Sequence, residues 1–187
     1  MCLNHAKKIQ LEEDITVYKF LSQYEDGTIC SPYYKQEWVE GQEYTANGEM
    51  DLEPCTNMLG EIVENYYHVH GGAFHAYESL ERTVNEAIAF GFNYDVKHEI
   101  VIGKFIIPKG SKVYRGQSTI SWNHSTKNGY QYATDWIKFV GLVSTEEIGE
   151  VFLHLGGSDW VGRKMKEVYA QALKIKDEEK NESKGTD

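Results

Sequence analysis

The densest group of metal-capable side chains in this sequence is His68, His70 and His75. Two histidines at i and i+2 of a strand project from one face, and neutral imidazole is a common ligand, so this spacing could begin a divalent-metal site. Several convergent ligands are needed, and only Glu64, Glu78 and the distant His98 are at hand to complete the set. Metal binding is therefore not the favoured reading. His68 and His70 fit a polar sheet face, and His75 fits a hydrogen-bonded residue packed beside a helix start. An enzyme would have to bring His75, Glu78 and Arg115 together in one concave pocket. Cysteine chemistry would need Cys30 or Cys55 beside a histidine, whereas a free cysteine is usually a small buried hydrophobe. The sequence has no phosphate-cradling glycine loop, no Gly-x-Ser-x-Gly elbow and no His-Glu-x-x-His.

Without a catalytic set, the aromatic residues carry the other candidate chemistry. Tyr33, Tyr34, Trp38 and Tyr44 fall in one early segment, and Trp122, Tyr130 and Tyr132 in a later one. Such side chains offer area with a polar tip and suit a recognition face. Tyr18, Tyr34, Trp38, His75 and Arg115 are the expected ligand-binding residues, and the ligand is an unidentified small molecule or protein. Bracing of sheet edges is the competing role for the aromatics.

The elements that must position these residues follow from composition and pattern. A chain of 187 residues with 41% hydrophobic and 13% aromatic content is long enough for one sizeable core. The formal charge of −10, from 19 Lys and Arg against 29 Asp and Glu, opposes a phosphate backbone and disfavours nucleic acid as a partner. No apolar run approaches a bilayer span, residues 1–13 lack a signal-peptide core, and three cysteines without paired spacing suit a reducing compartment. A cytoplasmic protein with no membrane partner is expected.

Residues 1–13 read as an arm, 14–175 as one domain and 176–187 as a charged flexible tail with nothing apolar to bury. Within the domain, DITVYKFL from Asp14 reads as a first strand and the stretch around Trp38, Gly41 and Tyr44 as a short edge strand. Asn47 to Gly60 reads as a surface excursion. Glu61 to Tyr77 gives two extended pieces joined by Gly71-Gly72. Ser79 caps a helix whose apolar face is Leu80, Val84, Ala87 and Ile88, with Gly91 at its C-terminal cap. His98 to Ile107 is an apolar strand ended by Pro108-Lys109-Gly110, and Lys112 to Arg115 resumes extended structure. Gln117 to Gly129 is a long loop, and Tyr132 to Val143 another strand. Ser144 to Glu147 forms a capping box for a helix ended by Gly156-Gly157, and Ser158 or Asp159 starts a second helix. The expected fold class is α+β (mixed α/β): a mostly antiparallel sheet, one internal helix and a C-terminal helical pair.

Two resemblances bear on this reading. The segments TVYKF, SPYYKQEWVEGQEY, GGAFHAYESLERTVNEA, IGKFIIPKGSKVYRG and YATDWIKFVG, spanning about 15–143, together resemble a loose group of uncharacterised bacterial and phage domains. That group pairs a Gly-Phe-His-Ala-like turn before a helix with a Pro-x-Gly-Ser-like turn and a closing strand; here Ala73 intervenes between Gly72 and Phe74. The resemblance implies an α/β fold and a bacterial or phage origin. Separately, Tyr114-Arg115-Gly116 followed by Ser118-Thr119-x-Ser121 looks like fragments of the ADP-ribosyltransferase motif set. There Arg115 would hold the pyrophosphate of NAD, and Glu146 or Glu147 would orient the nicotinamide ribose. The alternative anchor, Tyr18-Lys19, has Lys where that family has Arg or His. A ligand- or protein-binding accessory module is the favoured expectation, with the NAD-dependent enzyme and the histidine metal site as alternatives.

Overall fold

The computed structural model describes residues 2–32, 35–93, 98–118 and 129–154. The chain divides into two compact units, 1–143 and 144–187, where one domain over 14–175 is expected from the sequence.

Among the described residues the first unit has eleven strands: β1 Cys2–Ile9, β2 Ile15–Gln23, β3 Ile29–Cys30, β4 Glu43–Thr45, β5 Leu52–Thr56, β6 Ile62–Val69, β7 Phe74–Tyr77, β8 Glu99–Ile107, β9 Val113–Ser118, β10 Tyr130–Thr134 and β11 Trp136–Leu142. Helix α1, Leu80–Asn93, lies between β7 and β8 in sequence. All pairings are antiparallel. The strand order is β4-β11-β8-β2-β7-β10-β9-β1-β6-β5, with β3 added on β2. The mostly antiparallel sheet and the internal helix agree with the expected fold class.

This sheet cannot be flat. Thr134 ends β10 and Trp136 begins β11, so a single residue, Asp135, joins them. In strand order β7, β2 and β8 separate the two. Four strand steps across a flat sheet would span about 19 Å, whereas two peptide units reach only about 7 Å. The sheet must therefore fold back so that one continuous stretch serves both ends, turning its corner at Asp135. Both neighbouring segments hold that corner: Lys112 N–H donates to Asp135 Oδ1 (2.8 Å), and Ala46 N–H donates to the Asp135 carbonyl (2.7 Å). The folding back encloses one face of the strands. Val17, Leu21, Ala76, Phe105, Ile107, Val113, Tyr132, Ile137 and Phe139 point there with Trp38 and Leu11 and form the main core. On the opposite face α1 packs against β2, β8 and β7. A second cluster, Leu3, Met50, Tyr114 and Ala133, joins the β1 and β9 region to the segment before β5.

Several differences from the sequence expectations have physical causes. Residues 2–9 are not an arm but an interior strand between β9 and β6; over 3–9, where burial is described, only Leu3 is buried, so no apolar run marks it. The excursion over 47–60 contains β5. Tyr132 to Val143 is two strands, because Asp135 breaks it. The Gly71-Gly72 link is not a hairpin turn: β6 pairs with β1 and β5, while β7 pairs with β10 and β2. Helix α1 passes through Gly91 to Asn93 rather than ending there. Its start is as expected, with Arg82 N–H donating to Ser79 Oγ at 3.2 Å.

The second unit contributes α2, Thr145–His154. Glu147 N–H donates to Ser144 Oγ, and Ser144 N–H donates to Glu147 Oε2, both at 3.2 Å, closing the expected capping box. The second helix of the expected pair, Trp122 within the long loop, Tyr33, Tyr34 and the 176–187 tail lie outside the described residues.

Candidate functional site

Register places a row of polar side chains on the core-facing side of the sheet. Lys7 of β1 pairs with Arg115 of β9, Arg115 with Tyr132 of β10, and Tyr132 with Ala76 of β7. Directly paired residues in an antiparallel sheet project from the same face, as do residues two apart on one strand. Tyr130 and Glu78 therefore share that face. Glu78 sits where β7 gives way to α1: its N–H donates to the Tyr130 carbonyl (3.1 Å), prolonging the β7–β10 ladder, and Ser79 caps the helix immediately after it. Its carboxylate is fixed from both sides by secondary structure.

Four side chains converge there. Arg115 Nη2 donates to Glu78 Oε1 at 2.7 Å, and the Tyr132 hydroxyl donates to the same oxygen at 3.1 Å. The Arg115 guanidinium lies 3.5 Å from the centre of the Tyr130 ring and 5.9 Å from that of Tyr132. Tyr132 is 8% exposed and belongs to the core, so the cluster is anchored at its base. Arg115 and Glu78 keep 34% and 39% of their side chains exposed. Partial burial opposes the Arg115 charge, but Glu78 and the Tyr132 hydroxyl outweigh it and hold the guanidinium pKa above its ordinary value. Burial, and then the Glu78 carboxylate, raise that of the Tyr132 phenol, which keeps it a donor. The result is a permanently charged, face-stacked cation in a fixed position with one rim open to solvent. Guanidinium in that setting suits oxyanion recognition.

The β1 strand is irregular beside Arg115. Its register with β9 shifts between Asn4 and Lys7, and His5 there has φ of 51°. Gly116 fits against this bulge: a Cβ on it would come within 2.9 Å of the Asn4 carbonyl oxygen and of Leu3 Cβ. Bulges re-aim side chains, and this one sits between Asn4 and the exposed Lys7 that pairs with Arg115.

The other sequence candidates are distributed differently. His75 pairs with Ala133 and so faces away from the Arg115 row, which means that His75, Glu78 and Arg115 do not form one site. Burial and the charge of Lys19 are among the causes that push the His75 pKa down to about 3, keeping the ring neutral. Its Nδ1 is buried without a hydrogen-bond partner. Lys19 lies next to Tyr18, the residue of β2 paired with Tyr77 of β7, and its ammonium donates to the His75 carbonyl. It also lies 5.7 Å from the Trp38 ring, and burial lowers its pKa to about 8. Trp38, expected at a ligand face, is 3% exposed. It packs edge-on against Tyr44, Phe74 and Phe105 and donates from Nε1 to Ser31 Oγ (2.9 Å). It is a core residue. Tyr18 lies on the α1 side of the sheet, opposite the Arg115 row.

His68, in β6, and His70, just past its end, have ring centres 6.0 Å apart, and His70 Nε2 lies 3.0 Å from Glu53 Oε2. Among the described residues no three His, Cys, Asp or Glu side chains converge as a metal-binding group. Cys30 and Cys55 are buried, and burial raises the Cys30 pKa, the opposite of activation. Glu147 is engaged in the helix cap. No described helix is long and apolar enough to cross a membrane. Sequence reasoning singled out Arg115, Glu78, Tyr130 and Tyr132 separately; what it could not supply was the β9–β10–β7 register that assembles them. Lys7 carries no such signal, because the polar stretch around it reads as an arm.

Comparison with known proteins finds no protein family, characterised protein or solved structure that matches this chain.

Proposed function

We propose that the chain is a binding module that recognises an oxyanion-bearing ligand, a carboxylate or a phosphate, at the Arg115 platform. One observation carries this reading: Arg115 is fixed by Glu78 and stacked on Tyr130 while a third of its side chain stays open, with exposed Lys7 in register beside it. A guanidinium already held in one rotamer loses little further entropy on binding, and a second cation next to it compensates for the Glu78 charge. An ordinary surface ion pair would need neither the stacking nor the buried Tyr132 anchor. A bacterial or phage origin, implied by the resemblance to uncharacterised domains of that kind, is part of the proposal.

The test is a thermal-shift and chemical-shift titration of the purified protein with inorganic phosphate, mononucleotides, NAD and small dicarboxylates. Native-state binders raise stability by mass action. The expected result is a shift with an oxyanion ligand that Arg115→Ala abolishes and Arg115→Lys weakens, with perturbed signals at Lys7, Arg115 and Tyr130. No shift with any of these compounds sinks the proposal. Release of nicotinamide from NAD replaces it with the transferase reading.

A further inference from the structure

The ribbon formed by β5 and β6 ends in a turn whose side chains are apolar and fully presented to solvent. Met58 and Leu59 occupy the tip with relative exposures of 106% and 83%, and Ile62 beside them is 68% exposed. Single exposed apolar residues need no explanation, but three within five positions form a patch. The turn is also stiff. Asn57 Oδ1 accepts from Leu59 N–H (2.9 Å) and Glu61 N–H (3.0 Å), and Asn57 Nδ2 donates to Glu61 Oε2 (2.8 Å). The main chain closes with Asn57 N–H to the Glu61 carbonyl and Gly60 N–H to the Asn57 carbonyl, and Gly60 takes φ of 79°. Five hydrogen bonds thus hold the loop that lifts Met58 and Leu59 into water.

The charge around the tip selects among occupants. Glu53, Glu61 and Glu64 are exposed on the same ribbon, and the chain has no Lys or Arg between Lys35 and Arg82. An anionic membrane surface would repel such a ribbon, since lipid docking relies on basic residues. A second copy would bring like charge against like charge. Edge-strand pairing through β5, the last strand of the sheet, is blunted by Pro54 at its middle. We infer that the Met58–Leu59 tip docks into an apolar pocket of a partner protein, and that the pocket is rimmed by Lys or Arg. The preformed turn lowers the ordering cost, the flexible Met58 thioether adapts to the pocket floor, and the flanking glutamates steer the encounter.

The test uses the full chain, isotope-labelled, with two synthetic amphipathic helical peptides as probes, one of Lys and Leu and one of Glu and Leu, and with anionic phosphatidylglycerol vesicles. The Lys/Leu peptide should perturb the amide signals of 56–64, weaken with added salt, and bind about tenfold less tightly to the Met58→Ser/Leu59→Ser variant. Because both positions are fully exposed, that variant should unfold at the wild-type temperature, and Arg115→Ala should leave peptide binding unchanged, separating this surface from the ligand platform. The inference is overturned by no perturbation at 56–64, by equal binding of the tip variant, or by equal response to the Glu/Leu peptide. Vesicle binding that depends on the tip, or a concentration-dependent dimer lost in the variant, overturns it in favour of lipid or self-association.

Discussion

Glu78 Oε1 accepts from both Arg115 Nη2 and the Tyr132 hydroxyl, so one carboxylate oxygen couples the edge of the core to the solvent-facing cation stacked on Tyr130. A half-exposed ion pair contributes about 0–1 kcal/mol, and an exposed cation–π contact about 0.5–1 kcal/mol. Arg115→Ala and Tyr130→Ala should each destabilise the protein by roughly 1 kcal/mol in urea unfolding. The double variant should lose less than the sum, by about 0.5 kcal/mol. Strict additivity would mean that the stack does not hold Arg115 in place.

His75 sets a pH dependence whose sign is fixed. Its pKa in the folded chain is about 3, against an ordinary value of 6.5. Between these values the unfolded chain binds the extra proton, so the contribution of His75 is fully present above pH 6.5 and lost as pH falls towards 3. Carboxylates titrate in part of the same window, so the measurement is a difference: wild-type stability minus that of His75→Gln, by denaturant unfolding from pH 7.5 down to 4. The difference should move against the wild type as pH falls. A flat difference would mean that the ring accepts a proton in the folded state.

How much of this was legible in the sequence depends on the range of the forces involved. Local signals were readable: Ser79 and the Ser144–Glu147 box mark helix starts through hydrogen bonds that span three residues, and Glu99–Ile107 announces itself by β-branched content. The strand Cys2–Ile9 was not legible, since it is polar, bulged at His5, and made a strand only by its neighbours β9 and β6. Trp38 illustrates the same limit. Nothing in Glu37-Trp38-Val39 distinguishes an exposed aromatic from one clasped by Phe74 and Phe105, which lie far along the chain. The site obeys this rule too: Arg115 and Glu78 are 37 positions apart, and only register brings them to 2.7 Å.

Lys19 gives a second pH signature, at the alkaline end. Burial lowers its pKa from 10.5 to about 8, so between those values the unfolded chain again holds more protons and stability gained from this group rises with pH. Below pH 8 the folded state carries a desolvated ammonium, whose remaining compensation is its donation to the His75 carbonyl and its place over Trp38. Lys19→Met fills a similar volume without the charge. Wild-type stability relative to this variant should improve as pH is raised from 8 to 10. An unchanged gap across that range would place the ammonium in water.

Gly71 separates backbone strain from steric exclusion. Both Gly71 and Gly60 hold positive φ, +85° and +79°, where a Cβ is disfavoured by about 1 kcal/mol. At Gly60 an added Cβ meets nothing within 4 Å, so Gly60→Ala should cost roughly 1 kcal/mol. At Gly71 the same atom would lie 2.3 Å from the Glu49 carbonyl oxygen and 2.7 Å from its carbon. Those are main-chain atoms and cannot rotate aside. The segment they belong to also carries Met50, a member of the cluster with Leu3, Tyr114 and Ala133, so relief of the clash would displace a buried side chain. Gly71→Ala should therefore cost about 2–4 kcal/mol, well beyond the Gly60 reference, by denaturant unfolding of both variants. Equal costs would show that the 47–50 segment does not rest on the β6–β7 link.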